Sequence, residues 1–325
     1  MQAEVRDWLG RRTSSGEDWD RDELVRAKGD TTISVVLPAR NEASTVGHIV
    51  EKLNDELVDQ VPLIDELIVM DSGSGDETAS VAAAAGARVV RQDEVLAPLV
   101  DRPGKGEALW KSLYVTRGDV VVFIDADLEQ FDPQFAVGLL GPLLADPSVQ
   151  FVKAFYDRPL QAGRTILPAG GGRVTELMAR PLLNLHWPHL AGFVQPLAGE
   201  YAGRRTLLER VPFMSGYGVE IAMLVDVFEL AGLSAMAQVD LGSRRHRNSS
   251  DAALGQMAAQ VYLALLSRIE RHGLGMMTVD ASYELTQFAR DGQSFVPTTT
   301  DVGVIERPPM ADVAEYRSRA MGIPR

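Results

Sequence analysis

Apolar and polar positions along the chain change period several times, and each change marks an element. Thr32-Ile-Ser-Val-Val-Leu37 is a short β-branched run ending at Pro38, the pattern of a strand buried on both faces. Beyond Asn41-Glu42, Val46, Ile49, Val50, Leu53 and Leu57 recur at helical spacing and predict an amphipathic helix. The strand pattern returns at 66–70, more weakly at 87–90, and most strongly at 119–124. Between these lie an alanine-rich segment and a stretch where Leu109 and Leu113, and Trp110 and Tyr114, pair at i, i+4. This alternation, sustained to about residue 145, predicts an α/β fold with a mostly parallel, Rossmann-like sheet wrapped by helices. Right-handed crossovers gather the loops after the strands' carboxyl ends on one edge, where open α/β sheets bind ligands.

Past that point the order loosens. A strand is expected near 149–156, a glycine-rich turn at 170–172, a helix from Val174, a strand at 235–241, and helices near 219–232 and 251–271. The pattern divides the chain into a polar, helical N-terminal arm (1–30), a first α/β half (31–150), a second half (151–280) and an irregular C-terminal arm (281–325).

Composition narrows the function classes. Of 325 residues, 46% are hydrophobic and 24% charged, as in an ordinary globular protein. The absence of cysteine excludes disulfides, thiolate nucleophiles and cysteine-ligated zinc. The first thirty residues lack a signal-peptide core, and no stretch approaches the roughly 20 apolar residues of a membrane span. A cytoplasmic protein is expected. The net charge of −13 argues against nucleic-acid or membrane partners. Small anionic ligands then require local positive groups.

Those groups stand beside motifs that follow strands. Asp125-Ala-Asp127 ends the strongest strand, and side chains at i and i+2 of a strand share a face. Two converging carboxylates suit Mg²⁺ or Mn²⁺ shared with substrate phosphates; a solvated turn is the plainer reading. His246 sits in Ser243-Arg-Arg-His-Arg-Asn248 and is either a further metal ligand or a structural histidine. The arginines of that cluster offer forks for phosphate or carboxylate. Lys105, between Gly104 and Gly106, is a weak candidate phosphate contact outside the Walker pattern. Gly170-Gly-Gly-Arg-Val-Thr175 frees the backbone to approach an anion ahead of a helix, or is an ordinary turn. Glu220, in Gly216-Tyr-Gly-Val-Glu220, could accept sugar hydroxyls or merely favour a helix start.

Taken together, these residues resemble a known family. Val36-Leu-Pro-Ala-Arg-Asn-Glu42, the Asp71-Ser-Gly-Ser segment and Asp125-Ala-Asp127 resemble the GT-A glycosyltransferases. Arg102-Pro-Gly-Lys-Gly-Glu-Ala-Leu-Trp110, Gly170-Gly-Gly-Arg-Val-Thr-Glu-Leu177, Gln195-Pro-Leu-Ala-Gly-Glu-Tyr201, Gly216-Tyr-Gly-Val-Glu220 and Arg307-Pro-Pro-Met310 are similar to the glucosyl-3-phosphoglycerate synthase family. The resemblance implies retaining transfer of glucose from UDP-glucose to 3-phosphoglycerate by a metal-dependent homodimer. It makes 31–150 the nucleotide-sugar half and 151–280 the acceptor-binding, metal-completing half. It implies donor contacts at Pro38, Ala39, Arg40, Asn41, Glu42, Ser72, Lys105, Asp125, Ala126, Tyr217, Gly218, Val219, Glu220 and Arg244. Metal ligation falls to Asp127 and His246, and acceptor contacts to Gly172, Arg173, Val174, Thr175 and Asn248. Asp127, Lys105, Glu220 and the main-chain carbonyl of Leu197 carry the chemistry. The sequence departs from the family pattern at Arg40 (leucine expected), Ala126 (serine) and Ser249 (arginine). These departures bear on donor and acceptor preference, and mannosyl-3-phosphoglycerate synthase with GDP-mannose is the alternative. A sugar-phosphate nucleotidyltransferase should instead carry a glycine-rich loop after the first strand, and a nucleotide-sugar sensor would have little use for Arg173.

Overall fold

The apolar runs assemble into one eight-stranded sheet. The computed structural model describes the chain apart from residues 103, 158–159, 163–164, 168–171, 244–249, 275–282, 292–293 and 322–325. In chain order the sheet strands are β1 (Thr13–Ser15), β2 (Ile33–Ala39), β3 (Glu66–Asp71), β4 (Arg88–Arg91), β5 (Val120–Phe123), β6 (Phe151–Asp157), β7 (Tyr201–Arg204) and β8 (Met236–Ser243). Their spatial order is β1-β8-β6-β7-β5-β2-β3-β4. Neighbours are parallel except at β7, which runs antiparallel to both β5 and β6.

The helices are α1 (Ala3–Arg12), α2 (Arg21–Lys28), α3 (Val46–Asn54), α4 (Thr78–Ala84), α5 (Lys105–Val115), α6 (Gln134–Ala145), α7 (Arg180–His186), α8 (Val219–Ala231), α9 (Asp251–Arg271) and α10 (Ala314–Met321), with the single turn Arg205–Leu208 between α7 and α8. Strand alternation sorts them into two layers. Val36, Ile68, Met70, Val121 and Phe123 face the core built with α1, α5, α7, α8 and α9. Val35, Leu37, Leu67, Val69, Val120 and Val122 face the core built with α2, α3, α4 and α6. Burial on both faces is why these strands read as unbroken apolar runs. Val46, Ile49, Val50, Leu53 and Leu57, the predicted helical stripe, are all fully buried.

Two segments are more ordered than their sequences suggest. The N-terminal arm is helical, as expected, but its Thr13–Ser15 also adds a parallel edge strand beside β8. Three polar residues carry no strand signal. The strand is held by α1, where Val5 and Trp8 are buried and the Trp8 indole donates to the Met236 carbonyl at 2.8 Å. The C-terminal arm is not irregular. Glu284–Asp291 and Ser294–Asp301 form an antiparallel hairpin rich in β-branched residues, with Thr286 and Thr299 paired across it at 3.1 Å. Glu306–Arg307 then pairs with Phe213–Met214.

That last pairing fastens the tail to α5. Arg307 makes a two-pronged bond to the fully buried Glu107, both contacts at 2.7 Å, and lies over the Trp110 ring. Trp110 in turn donates to the Pro308 carbonyl at 2.8 Å. Two motif strings nearly 200 residues apart thus meet behind the helix that begins with Lys105. Among the described residues no helix is long and apolar enough to cross a membrane.

Candidate active site

The loops after β2, β3 and β5 leave the sheet at one edge because the strands are parallel and in register. Ala39 stands opposite Asp71, Val36 opposite Phe123, and the Ile124 amide donates to the Val36 carbonyl at 3.1 Å. Residues 38–42, 71–76 and 125–127 therefore emerge together. The first two loops are laced tightly. Asn41 adopts a left-handed φ of 59°, a conformation asparagine tolerates better than most residues. Its amide donates to Ser74 Oγ at 3.0 Å, its side-chain oxygen accepts from the Gly75 amide at 2.8 Å, and the Glu42 amide donates to Thr78 Oγ1 at 2.7 Å. Arg40 projects into solvent at this edge. The Ser72 hydroxyl is used internally, donating to Gln92 at 2.8 Å.

Lys105 is the meeting point of the site. It opens α5, and its flanking glycines have a packing reason rather than a phosphate-loop one. A Cβ on Gly104, whose φ is 108°, would sit 2.9 Å from Gly216 Cα, and one on Gly106 would sit 1.9 Å from the Met214 carbonyl oxygen. The close approach this permits sets the start of α5 against the segment leading into α8. Lys105 Nζ then reaches Asp125, Glu220 Oε1 at 3.1 Å and the Gly199 carbonyl at 3.2 Å. Burial disfavours its charge, but Asp125 and Glu220 outweigh that and hold its pKa well above the usual lysine value. The ammonium therefore stays charged at the carboxyl edge of β5.

Asp125 and Asp127 both lie beyond the end of the strand. The strand ends at Phe123, so strand alternation stops short of them; Asp125 is half-buried and turned onto Lys105, while Asp127 lies exposed in the following turn. Among the described residues no three His, Cys, Asp or Glu side chains group as a metal site. The residues present still fit a hard divalent ion. Mg²⁺ and Mn²⁺ need few protein carboxylates when substrate phosphates complete their shell, and Asp127 offers one at this edge. His246, Arg244 and Asn248 lie outside the described residues.

Ala126, Gly218 and Val219 have only their backbones to offer a ligand. Ala126 is buried, with its carbonyl accepting from Thr45 Oγ1 at 2.7 Å. Gly218 packs where a Cβ would meet the Ala264 methyl at 2.7 Å, and the Val219 side chain belongs to the core. Tyr217 is exposed, its amide donating to Gln260 at 2.9 Å. Leu197 lies in a turn closed by the Ala198 amide donating to the Gln195 carbonyl at 3.1 Å. Among the residues expected to meet the acceptor, Gly172 has a φ of 82°, which favours glycine, and starts a helical segment in which Val174 and Thr175 are buried. Arg173 is exposed and ion-paired to Asp251, the first residue of α9.

Four residues beneath this surface are not among the predicted site residues, although three of them lie in the Gln195–Tyr201 string. Gly199 lies so close to the ion pair that a Cβ there would stand 2.2 Å from Asp125 Oδ2 and 2.6 Å from Lys105 Nζ. Glu200 is fully buried and accepts from the Tyr156 hydroxyl at 2.8 Å. Tyr201, also buried, has its pKa raised by burial and by Glu220. Lys153 is buried over the Tyr201 ring. A polar residue inside an apolar strand is the available signal for Lys153; the other three are marked only by membership of the Gln195–Tyr201 string.

Comparison with known proteins bears on this geometry. A family model described as Glycosyl transferase family 2 matches residues 34–197. A glucosyl-3-phosphoglycerate synthase of Mycolicibacterium paratuberculosis is 50% identical over 311 residues, covering 93% of this chain and 91% of the relative. The chain belongs to glycosyl transferase family 2, among the glucosyl-3-phosphoglycerate synthases. Its sheet is of the GT-A type found in solved members. Glucosyl-3-phosphoglycerate synthase of Mycobacterium tuberculosis, in complex with Mn²⁺, UDP-glucose and phosphoglyceric acid, is 47% identical with a TM-score of 0.79, over 90% of this chain and 94% of that one. The same enzyme has been solved with Mg²⁺ and UDP. Mannosyl-3-phosphoglycerate synthase of Rubrobacter xylanophilus is 40% identical with a TM-score of 0.88, over 95% and 99% of the two chains.

Proposed function

We propose that this chain transfers glucose from UDP-glucose to 3-phosphoglycerate with retention of configuration, releasing UDP. The observation that carries the reading is the meeting of Lys105, Asp125 and Glu220 at the carboxyl edge of β5, in a chain about half identical to enzymes of that name. The loops at 38–42 and 72–76 cradle the nucleotide, with 31–150 serving the donor and 151–280 the acceptor. Lys105 and Arg244 counter the diphosphate charge, and Glu220 orients the sugar. Asp127 and His246 would hold a divalent ion, which would supply Lewis-acid neutralisation of the diphosphate charge. Arg173, Thr175 and Asn248, with the backbone of Gly172 and Val174, grip the acceptor's phosphate or carboxylate and hold its hydroxyl near the anomeric carbon. The bond from that carbon to the diphosphate breaks as the bond to the acceptor oxygen forms on the same face, and the hydroxyl proton passes to the leaving phosphate. The Leu197 carbonyl faces the positive charge that develops on the sugar.

Both substrates are phosphorylated metabolites of the cell interior, which supports a cytoplasmic site of action. Leu177 and Leu185 are 79% and 76% exposed on the same helical stretch, a patch suited to a second copy, and we assign the protein as a homodimer. The deciding experiment is a donor-by-acceptor matrix of UDP-glucose and GDP-mannose against 3-phosphoglycerate and its isomers, read by released nucleotide with metal or chelator. UDP release confined to UDP-glucose, 3-phosphoglycerate and added metal is expected. Preference for GDP-mannose would favour the mannosyl reading, which the Rubrobacter neighbour keeps in the matrix, and pyrophosphate release would end both.

A further inference from the structure

Beneath the site, β6 carries a lysine that the reaction described above does not use. Lys153 stands opposite Tyr201 in the antiparallel β6–β7 pair and is 1% exposed. Its Nζ donates to the Ala198 carbonyl at 2.8 Å and sits 4.8 Å from the Tyr201 ring centroid. Burying an ammonium is costly, and a methionine or leucine would fill the same space without that cost. The charged groups acting on it come from four sides: Glu220 on α8, Lys105 on α5, Glu200 before β7 and Asp125 after β5. Burial and Lys105 outweigh the carboxylates and lower its pKa to about 7. Such a group needs a reason beyond packing.

The reason lies in three consecutive carbonyls. The Gly199 carbonyl accepts from Lys105, and the Ala198 carbonyl from Lys153. The carbonyl before them is that of Leu197. Its peptide shares a plane with the Ala198 amide, which donates to the Gln195 carbonyl at 3.1 Å, so the Leu197 carbonyl points away from Gln195. The same segment is tied to β6 at both ends, by Gln195 donating to the Tyr156 carbonyl and by the Ala154 amide donating to the Glu200 carbonyl at 3.0 Å. Between those ends, Lys153 bonds the Ala198 carbonyl from β6. We propose that Lys153 is a positioning residue for transfer: it fixes the 195–199 turn, and through it the aim of the Leu197 carbonyl and the Gly199 contact to Lys105. This rests on the role given to Leu197 above.

The test uses the full chain with UDP-glucose, 3-phosphoglycerate and Mn²⁺, comparing wild type with Lys153→Met and Lys153→Gln. Displacing the turn should lower kcat about 10²-fold in Lys153→Met, the scale of a 1 Å misplacement, while both KM values and the Kd for UDP stay within about 3-fold. Lys153→Gln keeps a donor on a shorter arm and should recover part of the loss, to within about 10-fold of wild type. A kcat near wild type in Lys153→Met, or a kcat loss matched by equal losses in UDP affinity, would overturn the proposal. If Lys153→Met does not fold, Lys153→Gln decides alone: its shorter arm should hold the turn less well and lower kcat by about 3- to 10-fold at an unchanged Kd for UDP, and an unaltered kcat would overturn the proposal. An inactive wild type would instead refute the assigned reaction, so the two failures are told apart.

Discussion

On the proposed donor side, Lys105, Asp125 and Glu220 meet behind strand ends whose register is fixed by fully buried residues. On the proposed acceptor side, Arg173 and Asp251 meet where two helical segments begin, and both side chains face solvent. A cation held by two carboxylates under partial burial is poised in the unliganded protein. An exposed ion pair contributes little to stability and is readily exchanged for a ligand. The contrast suggests a preformed donor pocket and an acceptor grip that closes on its substrate, each breakable without the other.

The largest effect should come from Asp127→Ala. Transfer should fall by about 10³-fold or more, as when a preorganised charge-stabilising group is lost. Because Asp127 is exposed, the melting temperature should move by less than about 2 °C. Activity surviving in chelator at near-normal rate would remove the metal from the donor side. Gly199→Ala comes next. Its Cβ would intrude between Asp125 and Lys105, costing about 10- to 100-fold in kcat and about 1–3 kcal/mol in denaturant unfolding. Unaltered kinetics would mean that the ion pair tolerates being parted.

The smallest effect is a pH slope. Lys153 has a folded pKa of about 7 against an ordinary 10.5, so between those values the unfolded chain binds more protons. Wild-type stability should therefore rise relative to Lys153→Met as pH increases from 7 toward 10, by up to about 1.4 kcal/mol per unit. Parallel stability curves for the two proteins would show that the buried lysine is not charge-depleted.

What could be read in the sequence follows the same divide. Strands apolar on both faces announced themselves, and the motifs after them fall at the edge that a parallel sheet dictates. By spacing alone Lys105 is legible only as a lysine between glycines, and the resemblance gives it its weight; its partners come from three distant segments that meet only in the folded chain. Period-two alternation holds only while the strand lasts, and β5 stops at Phe123, so it does not reach Asp125 and Asp127. Thr13–Ser15 became a strand through tertiary docking alone. The tail was misjudged because its hairpin pattern is polar. Gly199 stands in the Gln195–Tyr201 string, but nothing there shows why it must be glycine, since the side chains that require it, Asp125 and Lys105, lie far away in sequence.

The account turns on donor and acceptor being held by separate groups, which a calorimetric titration of UDP in Mn²⁺ tests directly on wild type, Lys105→Ala and Arg173→Ala. The prediction is that Lys105→Ala weakens UDP by roughly 2–5 kcal/mol while Arg173→Ala leaves it unchanged and weakens only 3-phosphoglycerate. Equal losses of UDP affinity in both variants, or none in Lys105→Ala, would contradict it.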